Sequence, residues 1–255
     1  MVRKKLIYLF ISCLAWIPVF GQSKVEQMVF DRANQLYMNG DYSGARDEYQ
    51  KVVSSGFESA ELHFNLGNTY YKLGQIPSSI LWYERALLLS PKDEDILFNL
   101  ELANRLVVDK INPVNEFFFR KWVRTAAGLL HAGTWGLLSI ICLMALLSLV
   151  LYIYASRNDR LRPLLMPVGS VLAIVFTLSL LLGGVENRQT VHTNSAVVFA
   201  SSLTAKSSPD AGGTDLFVIH EGLKVKITGQ VNNWIRIRLA DGNEAWVPES
   251  SVERI

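Results

Sequence analysis

Apolar and polar positions change period along the chain, and each change marks a different kind of element. From about residue 26 to residue 110, apolar residues recur three or four positions apart, the spacing of one buried helix face. Two uncharged runs come next, residues 134–155 and 163–185. Each is long enough to cross a bilayer as a helix rising about 1.5 Å per residue. Beyond Val185 come short β-rich stretches separated by turn residues: SAVVFA, DLFVIHEG, LKVKITGQ, NWIRIRLADG and EAWVPES. In NWIRIRL, Trp234, Ile235, Ile237 and Leu239 alternate with Arg236 and Arg238, as on a half-buried strand. Asp241-Gly242 makes the tight turn into the strand that holds Trp246. Five short strands in about 60 residues predict a small all-β barrel over 195–255.

The helical part repeats itself. Displaced by 34 residues, Phe30, Phe64 and Phe98 align, as do Asn34 and Asn68, Gly40 and Gly74, and Tyr49 and Tyr83. Ala45 falls opposite Ser79, Val52 opposite Ala86, Asn65 opposite Asn99 and Leu66 opposite Leu100. Small residues at this period let antiparallel helices approach closely, which is what a helix-turn-helix solenoid requires. Gly40 and Gly74 end the first helix of each unit, and Pro91 marks the end of a second helix. Asp93, Glu94 and Asp95 supply first-turn acids to the next helix.

These positions resemble the tetratricopeptide repeat (TPR) family. Unit 60–93 carries Leu66, Gly67, Tyr70, Gly74, Ser79, Tyr83, Ala86 and Pro91 at family positions. Unit 26–59 carries Ala33, Gly40, Ala45 and Tyr49 without the terminal proline, and 94–110 reads as a capping helix, giving an array over 24–110. The resemblance implies a concave groove for an extended peptide, lined by Phe30, Asn34, Tyr37, Phe64, Asn65, Asn68, Tyr71, Lys72, Phe98 and Asn99. Asparagine offers both a donor and an acceptor to a peptide backbone. The phenylalanines have a second reading, as core residues, and the asparagines as packing groups. Relatives that clamp a terminal carboxylate place lysine or arginine where this chain has Phe30, Asp95 and Asn99, so no such clamp is expected.

The C-terminal stretch resembles bacterial SH3-like domains. It has a glycine-led turn and strand at Gly222–Ile227, a tryptophan-led strand at Trp234–Arg238 and a closing segment at Gly242–Val247. ASSLTAKSSPDAGGTD departs from the family pattern. Trp234 and Trp246 form a possible ligand face, or belong to the core.

Arg157, Arg160 and Arg162 occupy the short link 156–162 between the apolar runs. They predict a transmembrane hairpin with a cytoplasmic link. Arg3, Lys4 and Lys5 ahead of an apolar stretch, with Val19 and Gly21 at small-residue positions, predict a signal peptide over 1–21, with an uncleaved membrane anchor as the alternative reading, and agree with that topology. Arg120, Lys121 and Arg124 oppose it by charge alone. Phe117, Phe118, Phe119 and Trp122 beside them predict an amphipathic interfacial segment over 113–133.

Composition narrows the function. Of 255 residues, 25 are Lys or Arg and 23 are Asp or Glu, a balance that gives no case for nucleic-acid binding, which needs a concentrated basic face. Cys13 lies in the leader and Cys142 in an apolar run, so neither a disulfide in the mature chain nor a zinc site is expected. His63, His131, His192 and His220 have no nucleophile or metal-ligand spacing around them, and no glycine loop cradles phosphate. No enzyme and no cofactor are expected. The uncharged spans read as anchors, not as a transport path.

The fold class is thus a multidomain membrane protein: an all-α TPR solenoid, a two-helix hairpin and an all-β SH3-like barrel. Their order resembles the BatE-like proteins of aerotolerance-type operons. That resemblance implies an adaptor facing the periplasm from a bacterial inner membrane. It also implies partners among von Willebrand factor A-domain (VWA) membrane proteins and a MoxR-type AAA+ ATPase. The alternative expectation is a peptidoglycan-binding envelope protein acting through the SH3-like module.

Overall fold

The computed structural model describes residues 24–112, 117–155, 162–191 and 194–255. The leader at 1–21, with Cys13, and most of the arginine link lie outside these residues. Five helices form the array: α1 (Lys24–Met38), α2 (Tyr42–Ser54), α3 (Ala60–Lys72), α4 (Ile76–Leu89) and α5 (Glu94–Arg105). The two units close their first helices identically. Gly40 has φ +82° and Gly74 φ +74°, so each enters the left-handed region that glycine tolerates best. Asp41 N–H then donates to Leu36 O at 3.0 Å, and Gln75 N–H donates to Tyr70 O at 2.9 Å. Asp41, Ser59 and Asp93 cap the helices after them by accepting from Gly44, Leu62 and Ile96 N–H.

Small residues set the helix spacing. Ala33, Ala45, Ser79, Ala86 and Ala103 are fully buried. A Cβ on Gly67 would lie 2.6 Å from Cδ1 of Tyr83, so only glycine lets α3 approach α4 this closely. The capping helix stops at Arg105, short of 110. Lys110 Nζ closes its end by donating to the carbonyls of Asn104 and Arg105, both at 3.0 Å.

Helix α6 (Phe118–Ala127) leads to a hairpin of α7 (Ala132–Ala155) and α8 (Arg162–Val191). Both long helices contain stretches apolar enough to span a membrane, Ala132–Ile153 and Arg162–Glu186, with little of either buried in the protein. They are compatible with membrane spans. Gly183 admits Trp135, and the hydroxyls of Ser139 and Ser179 meet at 3.0 Å in the contact.

The C-terminal region is one antiparallel sheet of seven strands, two more than the sequence pattern suggests. They are β1 (Ser195–Val198), β2 (Ser202–Lys206), β3 (Asp215–His220), β4 (Lys224–Val231), β5 (Trp234–Arg238), β6 (Glu244–Pro248) and β7 (Val252–Arg254), in the order β3-β2-β6-β5-β4-β1-β7. The additional strands are β2, inside the stretch that departs from the SH3-like pattern, and the three-residue β7. Short strands such as these show little periodicity by themselves and are defined by their partners. Ile219, Val225, Ile235, Ile237, Ala245 and Val247 fill the core.

The sheet is docked on the array. In β1, Ala196 and Val198 point into the sheet's own core, while Val197 points the other way. It joins Ile80, Ala86, Ile96, Leu100 and Val107 of the array. Alternation with period two thus buries β1 on both faces. Around it, Lys224 pairs with Glu84 at 2.6 Å, and Arg85 reaches Glu253 at 3.1 Å and the Arg254 carbonyl at 2.8 Å. Asp109 accepts from the His220 backbone N–H at 2.6 Å and lies 2.9 Å from its Nδ1. A Cβ on Gly222 would meet Val107 at 3.0 Å, so glycine is required both for this approach and for its φ of +84°. The array precedes the hairpin and the sheet comes after it. Their contact therefore brings the start of α7 and the end of α8 to the same side.

Candidate functional site

Alternate helices of the array, α1, α3 and α5, line two hollows that share Tyr37. The first, about 250 Å³, is lined by Asn34, Tyr37, Met38, Tyr49 and Asn65. The second, about 260 Å³, is lined by Tyr37, Asn68, Tyr71, Lys72, Tyr83, Asn99 and Leu102. Docking of the sheet on α4 and the end of α5 leaves both open.

A hydrogen-bonded ladder built twice from the same three residue types runs beneath them. Tyr49 Oη donates to Asn34 Oδ1 at 2.5 Å, and Asn65 Nδ2 donates to the same oxygen at 3.3 Å. One period later, Tyr83 Oη donates to Asn68 Oδ1 at 2.6 Å, and Asn99 Nδ2 donates to it at 3.0 Å. Burial pushes the Tyr49 and Tyr83 phenols well above their ordinary value, so they stay protonated and remain donors. Two donors on each Oδ1 fix the orientation of the amide. Asn34 and Asn68 then have Nδ2–H left to offer, and Asn99 has Oδ1. The first two suit a main-chain carbonyl, and the third suits a main-chain N–H.

The structure brings Asn34, Asn65, Asn68, Tyr71, Lys72 and Asn99 into the hollows, with Tyr37 between them. The phenylalanines diverge. Phe30 is 6% exposed and packs on Tyr49 with ring centroids 5.7 Å apart, so it is a core residue and cannot meet a ligand. Phe64 is half-buried against Tyr83 at 5.9 Å. Phe98 is 60% exposed on α5. Met38, Tyr49, Tyr83 and Leu102 also line the hollows. The tyrosines were visible in the repeat register, but there they read as packing residues. Leu102 stands 34 residues after Asn68, so the ladder of amides ends in an apolar side chain.

Trp234 and Trp246 are absent from the sheet's buried core and lie half-exposed on its outer face. Trp234 shares strand parity with Arg236 and Arg238, opposite to Ile235 and Ile237, so it cannot face inward with them. Arg236 sits across from Trp246 in register, its guanidinium 5.9 Å from the ring centroid. Pro248 faces Trp234, and Glu244 pairs with Arg238. This face also stays clear of the array.

The family model for the tetratricopeptide repeat matches residues 60–93, one for the TPR repeat matches 33–74, and that for the bacterial SH3 domain matches 201–253. β1, the strand that clasps the array, precedes the SH3 match. No curated protein matches this chain. Modules of these two kinds point to interaction with protein or with peptidoglycan.

Proposed function

We propose that this protein is a non-enzymatic, membrane-anchored adaptor whose groove holds an extended segment of another protein of the cell envelope. The supporting observation is the doubled Tyr–Asn–Asn ladder, which aims fixed amide groups into open hollows at the period of the repeat. Likeness to BatE-like proteins suggests VWA-domain membrane proteins and a MoxR-type ATPase as companions. It also suggests a role in an aerotolerance or stress complex at the inner membrane, with array and sheet in the periplasm. Packing of the array on the sheet supports one side for both, and the arginine link supports the cytoplasm for the other.

The test is photocrosslinking in cells from a probe at Asn68, with a control probe at Asp47 on the outer helix α2. A discrete protein adduct at Asn68 alone is expected. Equal adducts at both positions, or none at either, would remove the groove from the function. A second reading, peptidoglycan binding, is favoured by the open Trp234–Arg236–Trp246 face. Sedimentation with purified sacculi that Trp246→Ala abolishes would establish it.

A further inference from the structure

α6 joins the head to the hairpin and carries a face that the rest of the described protein does not cover. Ala127 is buried where the helix packs on α8, and Trp135 Nε1 donates to the Ala127 carbonyl at 2.8 Å. From the head, Lys92 Nζ donates to the Gly128 carbonyl. α6 is thus held between the array and the hairpin. Its other side shows Phe117 at 71%, Phe118 at 69%, Phe119 at 62% and Trp122 at 77% exposure. Arg120 and Lys121 interrupt these rings in sequence but, at about 100° per residue, fall on the opposite side of the helix from Phe118, Phe119 and Trp122; both are exposed, with no ion pair among the described residues.

Four neighbouring exposed aromatics in water would be unfavourable, and a short helix with rings on one side and cations on the other is amphipathic in the sense that suits a membrane surface. Rings with cations suit the depth at which acyl chains give way to headgroups. The patch also lies at the ends of two helices whose outer surfaces are themselves apolar and exposed, including Leu178, Leu180 and Leu181 on α8.

We infer that α6 lies in the bilayer interface on the side of the head, with Phe117–Phe119 and Trp122 among the upper acyl chains. Arg120 and Lys121 bind the phosphates of anionic phospholipids. The inference rests on reading α7 and α8 as membrane spans. It also gives these cations a reason to stand at the opposite end of the hairpin from the arginine link: the lipid neutralises them.

The test uses the full chain in lipid nanodiscs, with Cys13 and Cys142 replaced by alanine and a fluorophore on Phe119→Cys. Brominated phosphatidylcholine and brominated phosphatidylglycerol compete to quench it. A cation near an anionic surface favours it by roughly fivefold, so the pair gives an expected preference for the anionic lipid of about 25-fold. Arg120→Gln with Lys121→Gln brings the ratio close to unity while quenching itself persists. Quenching without anionic preference, or none at position 119, would overturn the inference. A second label at Ile140→Cys on α7 separates the two readings, because absence of quenching there would overturn the spans themselves.

Discussion

Phe30 and Phe98 stand two periods apart in the same register, and their surroundings are opposite. Phe30 is enclosed because α2 brings Tyr49 over it, and α4 brings Tyr83 to Phe64 in the same way. Each of these tyrosines lies 19 positions after its phenylalanine. By that spacing the partner of Phe98 would be Phe117, but Phe117 flanks α6 and is itself 71% exposed. The third unit thus has a first helix and no second. β1 does not replace it: Val197 packs on the opposite side of the array's end, joining Ile96 and Leu100 of α5, and Val107 beyond it, where they meet α4. In a solenoid, each unit's core is completed by its neighbour. Identical residues therefore meet different fates according to whether a second helix comes next in the chain.

The largest expected effect breaks this comparison directly. Phe30→Ala should destabilise the array by about 3–5 kcal/mol, and Phe98→Ala by no more than about 0.5 kcal/mol. Hydrogen exchange of α1–α4 amides measures both, and equal losses would refute the asymmetry. Gly67→Ala drives a methyl into the Tyr83 ring and should cost about 1–3 kcal/mol, read by the same exchange and by a weakened Tyr83–Asn68 bond. Val197→Ala removes two methyl groups from the shared cluster and should cost about 1–2 kcal/mol. Both the array and the sheet should lose protection, whereas Val218→Ala on an exposed position of β3 leaves them unchanged.

The smallest effect is one of pH. His63 is buried against Trp82, with centroids 5.1 Å apart, and Nδ1 has no hydrogen-bond partner among the described residues. Burial holds its imidazole below the ordinary value. The unfolded chain then binds a proton more readily than the folded one. Stability is complete above about pH 6.5 and falls as pH drops below it. His63→Phe should flatten that acid-side decline in thermal unfolding, whereas an unchanged slope would place its source elsewhere.

Much of this arrangement is legible in the residues alone. The 34-residue period, the paired glycine caps and the small helix-crossing residues are local or nearest-neighbour demands, and the folded array meets them. The two long apolar stretches need only length and composition to be recognised. That Asn34 and Asn68, and likewise Asn65 and Asn99, occupy equivalent positions was legible from the 34-residue register. The shared acceptor geometry of Asn34 and Asn68 was not, since it depends on tyrosines 15 positions away on a second helix. Trp234 could have been assigned to the outer face by parity with Arg236, but its size argued for the core.

By itself the sequence determined which elements form and at what period they repeat, because backbone conformation and amphipathic spacing act over a few residues or one repeat. Only the tertiary structure decided that the sheet caps the array, that Val197 turns away from its own barrel and that Lys224 finds Glu84 140 positions earlier. Such contacts join segments separated by a hairpin, and no local pattern encodes which surfaces will meet. They arise because α4 and α5 leave an apolar face uncovered, and β1 arrives with a side chain to bury against it.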